Sequence, residues 1–326
     1  MHSMDFSIII PSRDRPNLLE RALLSVLEQT HAPNEVIVVN DGSNEENQAL
    51  YDQLQTRYEG VVRFIKLERT TRGHGPSYAI NRGAEQACGE FLCFLDDDDC
   101  WTDKCHLERT KAVVDSSATD IYLTNQIAFS GEALIQEHLW LQVIADRIRT
   151  KYTADVQGAY AVTIADLMAC DSFPHLNNTI VRRALYSEVG GMDEGIRYEC
   201  EWDLYFRLID KARGIKYFPG VVSRHNVPDK NKTNNVSTAV SEIQKLLLRS
   251  YVMDKALILT QAKPILRAAR RNKMYTLKKI AMRLAGAQEF GRALIYAKLA
   301  ATGAINVKWR LYTAYLALRA LPAQWK

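Results

Sequence analysis

FLCFLDDDDCW, residues 91–101, carries a mostly apolar run directly into four aspartates, Asp96 to Asp99. The apolar part is short and bounded, as a buried strand is. The aspartates repel one another and gain little from packing, so their place at the end of that strand calls for a partner. Working back toward the N-terminus, the same arrangement recurs. Phe6–Ile10 reads as a strand closed by Pro11 and followed by PSRDR (11–15). Val36–Val39 reads as a strand followed by NDGS (40–43).

Helical patterns separate these strands. Over 17–29, Leu18, Ala22, Leu23, Val26 and Leu27 fall at helical spacing; 45–58 and 77–87 read as further helices, with a third strand at Val61–Leu67. Strands alternating with helices predict an α/β fold with a mostly parallel central sheet flanked by helices. In such sheets ligands bind beyond the carboxyl ends of the strands, and all three polar clusters lie there.

Beyond the aspartates, Thr102 is expected to cap a helix reaching Ser116, and Ile121–Leu123 to form a fifth strand. From Phe129 to Asp171 the pattern is irregular and helical without a β signal. Asn177–Val181 and Tyr217–Val222 read as strands and 199–211 as a helix. Everything after about residue 237 reads as helical. These patterns divide the chain into an α/β region over 1–238 and a basic α-helical C-terminal region over 239–326.

Composition bounds the class. The chain has 326 residues, 47% of them hydrophobic and 25% charged, which is ordinary for a globular protein with a substantial core. No apolar run approaches the roughly eighteen residues needed to span a bilayer. MHSMDFSIII lacks a basic segment followed by a long apolar stretch, so a secretory signal is not expected. The six cysteines form no C-x-x-C pair, which fits reduced thiols in the cytoplasm.

Carboxylates on a strand-end turn are hard oxygen ligands. Mg²⁺ or Mn²⁺ takes one or two of them together with substrate phosphates. The same aspartates would also serve as a solvated acidic turn at a helix N-terminus. IIIPSRDRPNLLERALLSVLEQTHAPNEVIVVNDGS together with GPSYAINRGAEQACGEFLCFLDDDDCW resembles the nucleotide-binding half of the family 2 glycosyltransferases, which have the GT-A fold, over roughly residues 5–225. The resemblance implies that 1–238 is a catalytic domain with a nucleotide-binding half (1–125) and an acceptor half (126–238). It further implies inverting transfer of a sugar from a nucleotide donor, UDP favoured, with a divalent cation on the diphosphate.

Carried over by position, Pro11, Ser12, Arg13 and Arg15 border the nucleotide, and Asp41 bonds base or ribose. Arg72, Gly75, Ser77 and Asn81 lie alongside, with Arg72 directed to the diphosphate. Asp96-x-Asp98 matches the family D-x-D, so Asp96, Asp98 and Asp99 are expected as cation ligands and Asp97 and Asp98 as nucleotide-sugar contacts. Asp97, in the variable middle position, is expected to matter least. His225 in SRHNVPDKN (223–231) stands where some relatives place a further ligand.

Inversion by direct displacement needs a carboxylate to take the acceptor hydroxyl's proton. ECEWDLYFRL (199–208) resembles the family's acidic helix start, but with Cys200 at the first acid and Glu201 at the catalytic aspartate. Glu201 is therefore the expected base and Asp203 the alternative. Asn177, Asn178 and Thr179 are expected on the acceptor side, where Trp101 and Trp202 either stack on a sugar or simply pack. The resemblance implies a glycan or lipid-linked acceptor in surface polysaccharide synthesis, of lipopolysaccharide or capsule type.

From Lys263 to the end there are 14 Lys or Arg and one acid, which leaves the rest of the chain near −9. Val307, Leu311, Ala314, Tyr315 and Leu318 share one helical face, and Arg267, Arg270, Arg271, Lys278 and Lys279 form a basic cluster. Such helices suit an anionic membrane surface or a homo-oligomer. Nucleic acid is not expected, because the aromatic interleaving of a single-strand groove is absent. The expected location is cytoplasmic, peripheral on the inner membrane's cytoplasmic face. The competing readings are a nucleotidyltransferase, against which PSRDRPN offers no glycine, and a catalytically impaired scaffold that keeps the nucleotide site.

Overall fold

The computed structural model describes residues 6–135, 140–227, 240–301 and 307–321. The chain forms two compact units, 1–230 and 231–326. The boundary expected at residue 238 lies outside the described residues.

The first unit begins with β1 (Phe6–Ser12), α1 (Pro16–Leu27), β2 (Glu35–Asn40), α2 (Glu45–Arg57), β3 (Val62–Lys66), α3 (Pro76–Gln86) and β4 (Phe91–Phe94). β1 is buried along its whole length, as a strand covered on both faces must be. It continues past Pro11, which lies beyond the last β1–β4 pair, Ile9 with Phe94, where that ladder has ended. Helix α1 starts on Pro16 and buries Leu19, Ala22, Leu23 and Val26 at i, i+3, i+4 and i+7.

Next come β5 (Cys100–Trp101), α4 (His106–Ser116), β6 (Ile121–Ser130), β7 (Ala133–Leu134), α5 (Gln142–Lys151), β8 (Tyr160–Ala161) and α6 (Ile164–Leu167). A 3₁₀ turn (Leu176–Asn178) leads into β9 (Thr179–Arg182), α7 (Arg183–Glu188), α8 (Cys200–Lys211) and β10 (Ile215–Asn226). The sheet order is β3-β2-β1-β4-β9-β6-β10-β5. From β3 to β4 neighbours are parallel; β9 then runs antiparallel to both β4 and β6, so the sheet beyond β4 is mixed rather than parallel.

Thr102 does not cap α4. Its amide donates to the Val222 carbonyl, because Cys100 and Trp101 first pair with β10. Two strands are longer than expected, and both extensions are polar. Thr124, Asn125 and Gln126 of β6 are buried and bonded to one another's neighbours, for example Asn125 Nδ2 to the Tyr217 hydroxyl at 3.0 Å. β10 runs on through Ser223, Arg224, His225 and Asn226, which delivers the last two residues to the aspartates.

The second unit contains α9 (Glu242–Leu259), started by a Ser241/Gln244 capping box, α10 (Lys263–Gly286), α11 (Phe290–Ala301) and α12 (Val307–Arg319). Its small core joins Ala281, Ala293, Ala297 and Leu316. Val307, Leu311 and Leu318 of the expected apolar face remain about two-thirds exposed, at 65%, 67% and 65%. Among the described residues no helix is long and apolar enough to cross a membrane.

Candidate active site

The four aspartates have four different surroundings. Asp97 is fully buried; it accepts a 2.5 Å hydrogen bond from Ser12 Oγ and pairs with Arg15 Nη2 at 2.6 Å. The other terminal nitrogen of Arg15 reaches Asp98 Oδ2 at 2.8 Å. Burial pushes the Asp97 pKa up and Arg15 opposes it. Asp97 and Ser12 therefore lie beneath the surface and fix Arg15, instead of facing a nucleotide as expected. Pro11 is likewise buried within β1.

Asp99 is buried and surrounded by donors. Its Oδ1 accepts from the Asn226 amide at 2.7 Å, and its Oδ2 from His225 Nδ1 at 2.8 Å and from the Asn177 side chain. Asn177 Oδ1 in turn accepts the Asp96 amide at 2.8 Å, and Asn226 Nδ2 donates to the Asp98 carbonyl at 2.6 Å. The expected acceptor residue Asn177 thus organises the aspartate turn. Asn178 bonds Gln126 and Ser223 and is buried, as is Thr179.

Two groups of ligand atoms lie within 4.8 Å of one another: Asp96, Asp98 and Asp99, and Asp99, His175 and His225. His175 enters just before the 3₁₀ turn, and nothing in its sequence neighbourhood marks it. Its ring lies 4.9 Å from that of His225, and Trp140 sets its edge against both. His175 Nδ1 is buried without a hydrogen-bond partner and is 3.9 Å from Asp96 Oδ2. Burial and the neighbouring carboxylates raise Asp96 to about 7, although His175 works against them. Crowded carboxylates, two imidazoles and an unpartnered buried nitrogen make a donor set that fits a divalent cation.

Across from these groups, α8 starts at Glu199, whose φ is 66°. In its first turn Glu201 Oε2 accepts the Leu176 amide at 3.0 Å, while Oε1 stands 3.7 Å from His175 Nε2. Burial pushes Glu201 up to about 7, against the pull of the Leu176 amide. Burial also lifts the neighbouring Cys200 thiol to about 12, so it stays neutral. Asp203, the alternative base, is turned to Arg207 at 3.0 and 2.5 Å. Arg207 also donates to the Val189 and Gly191 carbonyls, so this pair ties α8 to the turn before it.

At the end of β2, Asp41 Oδ1 accepts the His74 amide and Oδ2 the Gly75 amide, each at 2.9 Å. Gly73 approaches so closely that a Cβ there would sit 2.5 Å from Asp41 Oδ2, and its φ of +66° also favours glycine. Arg13 donates to the Thr70 carbonyl, and Arg72 is exposed on the adjoining turn. Ser77 Oγ reaches the Ile196 carbonyl and Asn81 the Met192 carbonyl, which bind α3 to the 190–197 turn. Trp101 donates to the Asn177 carbonyl, and Trp202 packs on Phe173 and Phe206; both are buried and present no open face to a sugar.

Residues 7–168 match the family model described as Glycosyl transferase family 2. The Campylobacter jejuni protein named GalNAc(5)-diNAcBac-PP-undecaprenol beta-1,3-glucosyltransferase is 36% identical over 93 residues, 28% of this chain and 29% of its own length. The match to an uncharacterized glycosyltransferase of Nostoc sp. likewise spans 29% of that protein's length. Among solved structures, Staphylococcus aureus TarS 1–349 in complex with UDP-GlcNAc superposes with a TM-score of 0.68 at 18% identity, covering 97% of this chain and 88% of that one. The Pyrobaculum calidifontis mannosyltransferase PcManGT, in complex with GDP-Man and Mn²⁺, gives 0.58 at 19% identity, covering 98% and 87%.

Proposed function

The chain belongs to glycosyltransferase family 2, and from that premise we propose that it transfers a sugar from a nucleoside-diphosphate donor to an acceptor hydroxyl with inversion at the anomeric carbon. The observation that carries this reading is Glu201. It is a half-buried carboxylate fixed by a backbone amide and bordered by His175, and its pKa responds to the charges of Asp99 and His225.

In this mechanism Glu201 accepts the proton of the acceptor hydroxyl as its oxygen bonds to the anomeric carbon. The bond from that carbon to the diphosphate oxygen breaks, and the electron pair leaves with the nucleoside diphosphate. Asp96, Asp98 and Asp99 would hold a divalent cation, with His175 and His225 beside Asp99; when bound it would supply positive charge for the departing diphosphate. Arg15, held between Asp97 and Asp98, adds a fixed cation at the same strand end. Asp41 and the Gly73–Gly75 turn border the nucleotide. The donor we favour is a UDP-sugar, in keeping with the UDP-GlcNAc bound by TarS, and the cation Mn²⁺ or Mg²⁺.

The acceptor we propose is a lipid-linked glycan of surface polysaccharide synthesis, in line with the acceptor in the Campylobacter enzyme's name. That substrate would bring the enzyme to the cytoplasmic face of the inner membrane. Replacing Glu201 with Gln tests the mechanism. Transfer should fall by about 10²–10⁴-fold, the usual contribution of a general base, while the nucleotide Kd stays unchanged. Unaltered transfer would place the base elsewhere.

A further inference from the structure

The helical unit has a binding feature of its own. A cavity of about 620 Å³ opens along α10, closed on one side by Ala300 of α11. Lys263, Arg267, Arg270, Arg271 and Lys278 line it, with no acid among the described lining residues. These cations recur at helical spacing along one face of α10, a stripe about 22 Å long at 1.5 Å per residue. The opposite face, with Ile265, Ala269, Thr276 and Ile280, is buried. Leu266, Met274 and the half-exposed Tyr275 fill the gaps between the cations. Elsewhere on the helix Lys273 is paired with Asp254.

Lys263, Arg267, Arg270 and Lys278 lie close enough on one face to repel one another, and α10 itself holds no acid. A ligand with several phosphates relieves that repulsion, while the apolar floor favours one whose phosphates adjoin hydrocarbon. Exposed apolar side chains of the same unit, Met282, Ile295 and Leu299, have the same preference. We infer that the α10 groove is a docking site for the phosphate headgroups of an anionic bilayer, which enter between Arg267, Arg270 and Lys278 while Leu266, Met274 and Tyr275 face the acyl boundary. This deepens the reading of a lipid-linked acceptor and stands on residues remote in sequence from the aspartates.

The test uses the full chain and vesicles of phosphatidylglycerol or of phosphatidylcholine alone. Binding should require the anionic lipid. The double variant Arg267→Gln/Arg270→Gln should bind at least tenfold more weakly, since each basic residue near an anionic surface carries several-fold in affinity. A control, Lys298→Gln/Arg310→Gln, removes the same charge from exposed positions outside the groove and should bind within about threefold of the unaltered protein. Equal losses in the two variants would overturn the groove in favour of diffuse attraction, and so would absence of vesicle binding. Inorganic pyrophosphate that displaces the protein at micromolar concentration would assign the groove to a soluble phosphate ligand instead. Sedimentation velocity showing a dimer lost only in the groove variant would assign it to a second copy of the chain. Donor hydrolysis, measured on the same samples, should be unchanged in both variants, so failure of the transferase reading and failure of the groove are read separately.

Discussion

Asp97 and Glu201 are each held by fixed donors, Asp97 by Ser12 and Arg15 and Glu201 by the Leu176 amide. Asp97, the middle member of the D-x-D, was expected to matter least, yet it is fully buried between Ser12 and Arg15. Removing one partner of such a buried pair is costly. Asp97→Ala should therefore lower stability by about 3 kcal/mol in urea unfolding, with nucleotide binding affected only through Arg15; a loss under about 0.5 kcal/mol, the scale of an ordinary surface change, would contradict this. Glu201 was legible as an acid at a helix start, but its pairing with Leu176 and His175 was not. Burial raises it to about 7, so below that pH it is protonated and cannot accept a proton. Activity should accordingly rise with pH along an acid limb at or below about 7, since a cation beside Asp99 would lower the value. A rate flat from pH 5 to 8 would exclude Glu201 as base.

At the scale of elements, β1 to β4 and α1 to α3 were legible because their signals are local: continuous apolar runs for β1, β2 and β4, which are buried on both faces, a mixed run for the edge strand β3, and helical spacing between them. The second half was harder for a physical reason. Thr124, Asn125 and Gln126 of β6, and Ser223 to Asn226 of β10, look like loop residues because much of their polarity is satisfied by residues about 15 to 130 positions away. His175 escaped for the same cause: only the fold brings it to Asp99. Helix α4 carries a further consequence. His106 is completely buried against Trp101 and Tyr122, and neither ring nitrogen has a hydrogen-bond partner. Burial lowers its pKa from 6.5 to about 3. The unfolded chain then takes up a proton below pH 6.5 that the folded chain refuses. The resulting stability is complete above 6.5 and is lost as pH falls toward 3. Between pH 7 and pH 5 this amounts to about 2 kcal/mol. His106→Phe should remove that part of the acid sensitivity in urea unfolding; an identical pH slope in both proteins would refute it.

At the scale of the whole molecule, the net charge of +4 conceals a tail of +13 after residue 262 and a remainder near −9. The positive excess lies along the helices after residue 262, while Asp96, Asp98 and Asp99 gather at one turn of the first unit. The sheet's parallel half and its antiparallel insertion, β9, meet at β4, so the aspartate turn, the 3₁₀ turn carrying Asn177 and the end of β10 all converge on Asp99. The proposed reaction, with Glu201 as its base, needs a cation and a nucleotide sugar to meet at that convergence. The most direct measurement is release of nucleoside diphosphate from a panel of sugar nucleotides, with Mn²⁺, with Mg²⁺ and after chelation by EDTA, for the unaltered protein and for Asp99→Asn. The account predicts turnover of a UDP-sugar that chelation abolishes, Mn²⁺ restores and Asp99→Asn reduces at least a hundredfold. Undiminished turnover in EDTA, or in Asp99→Asn, would contradict it.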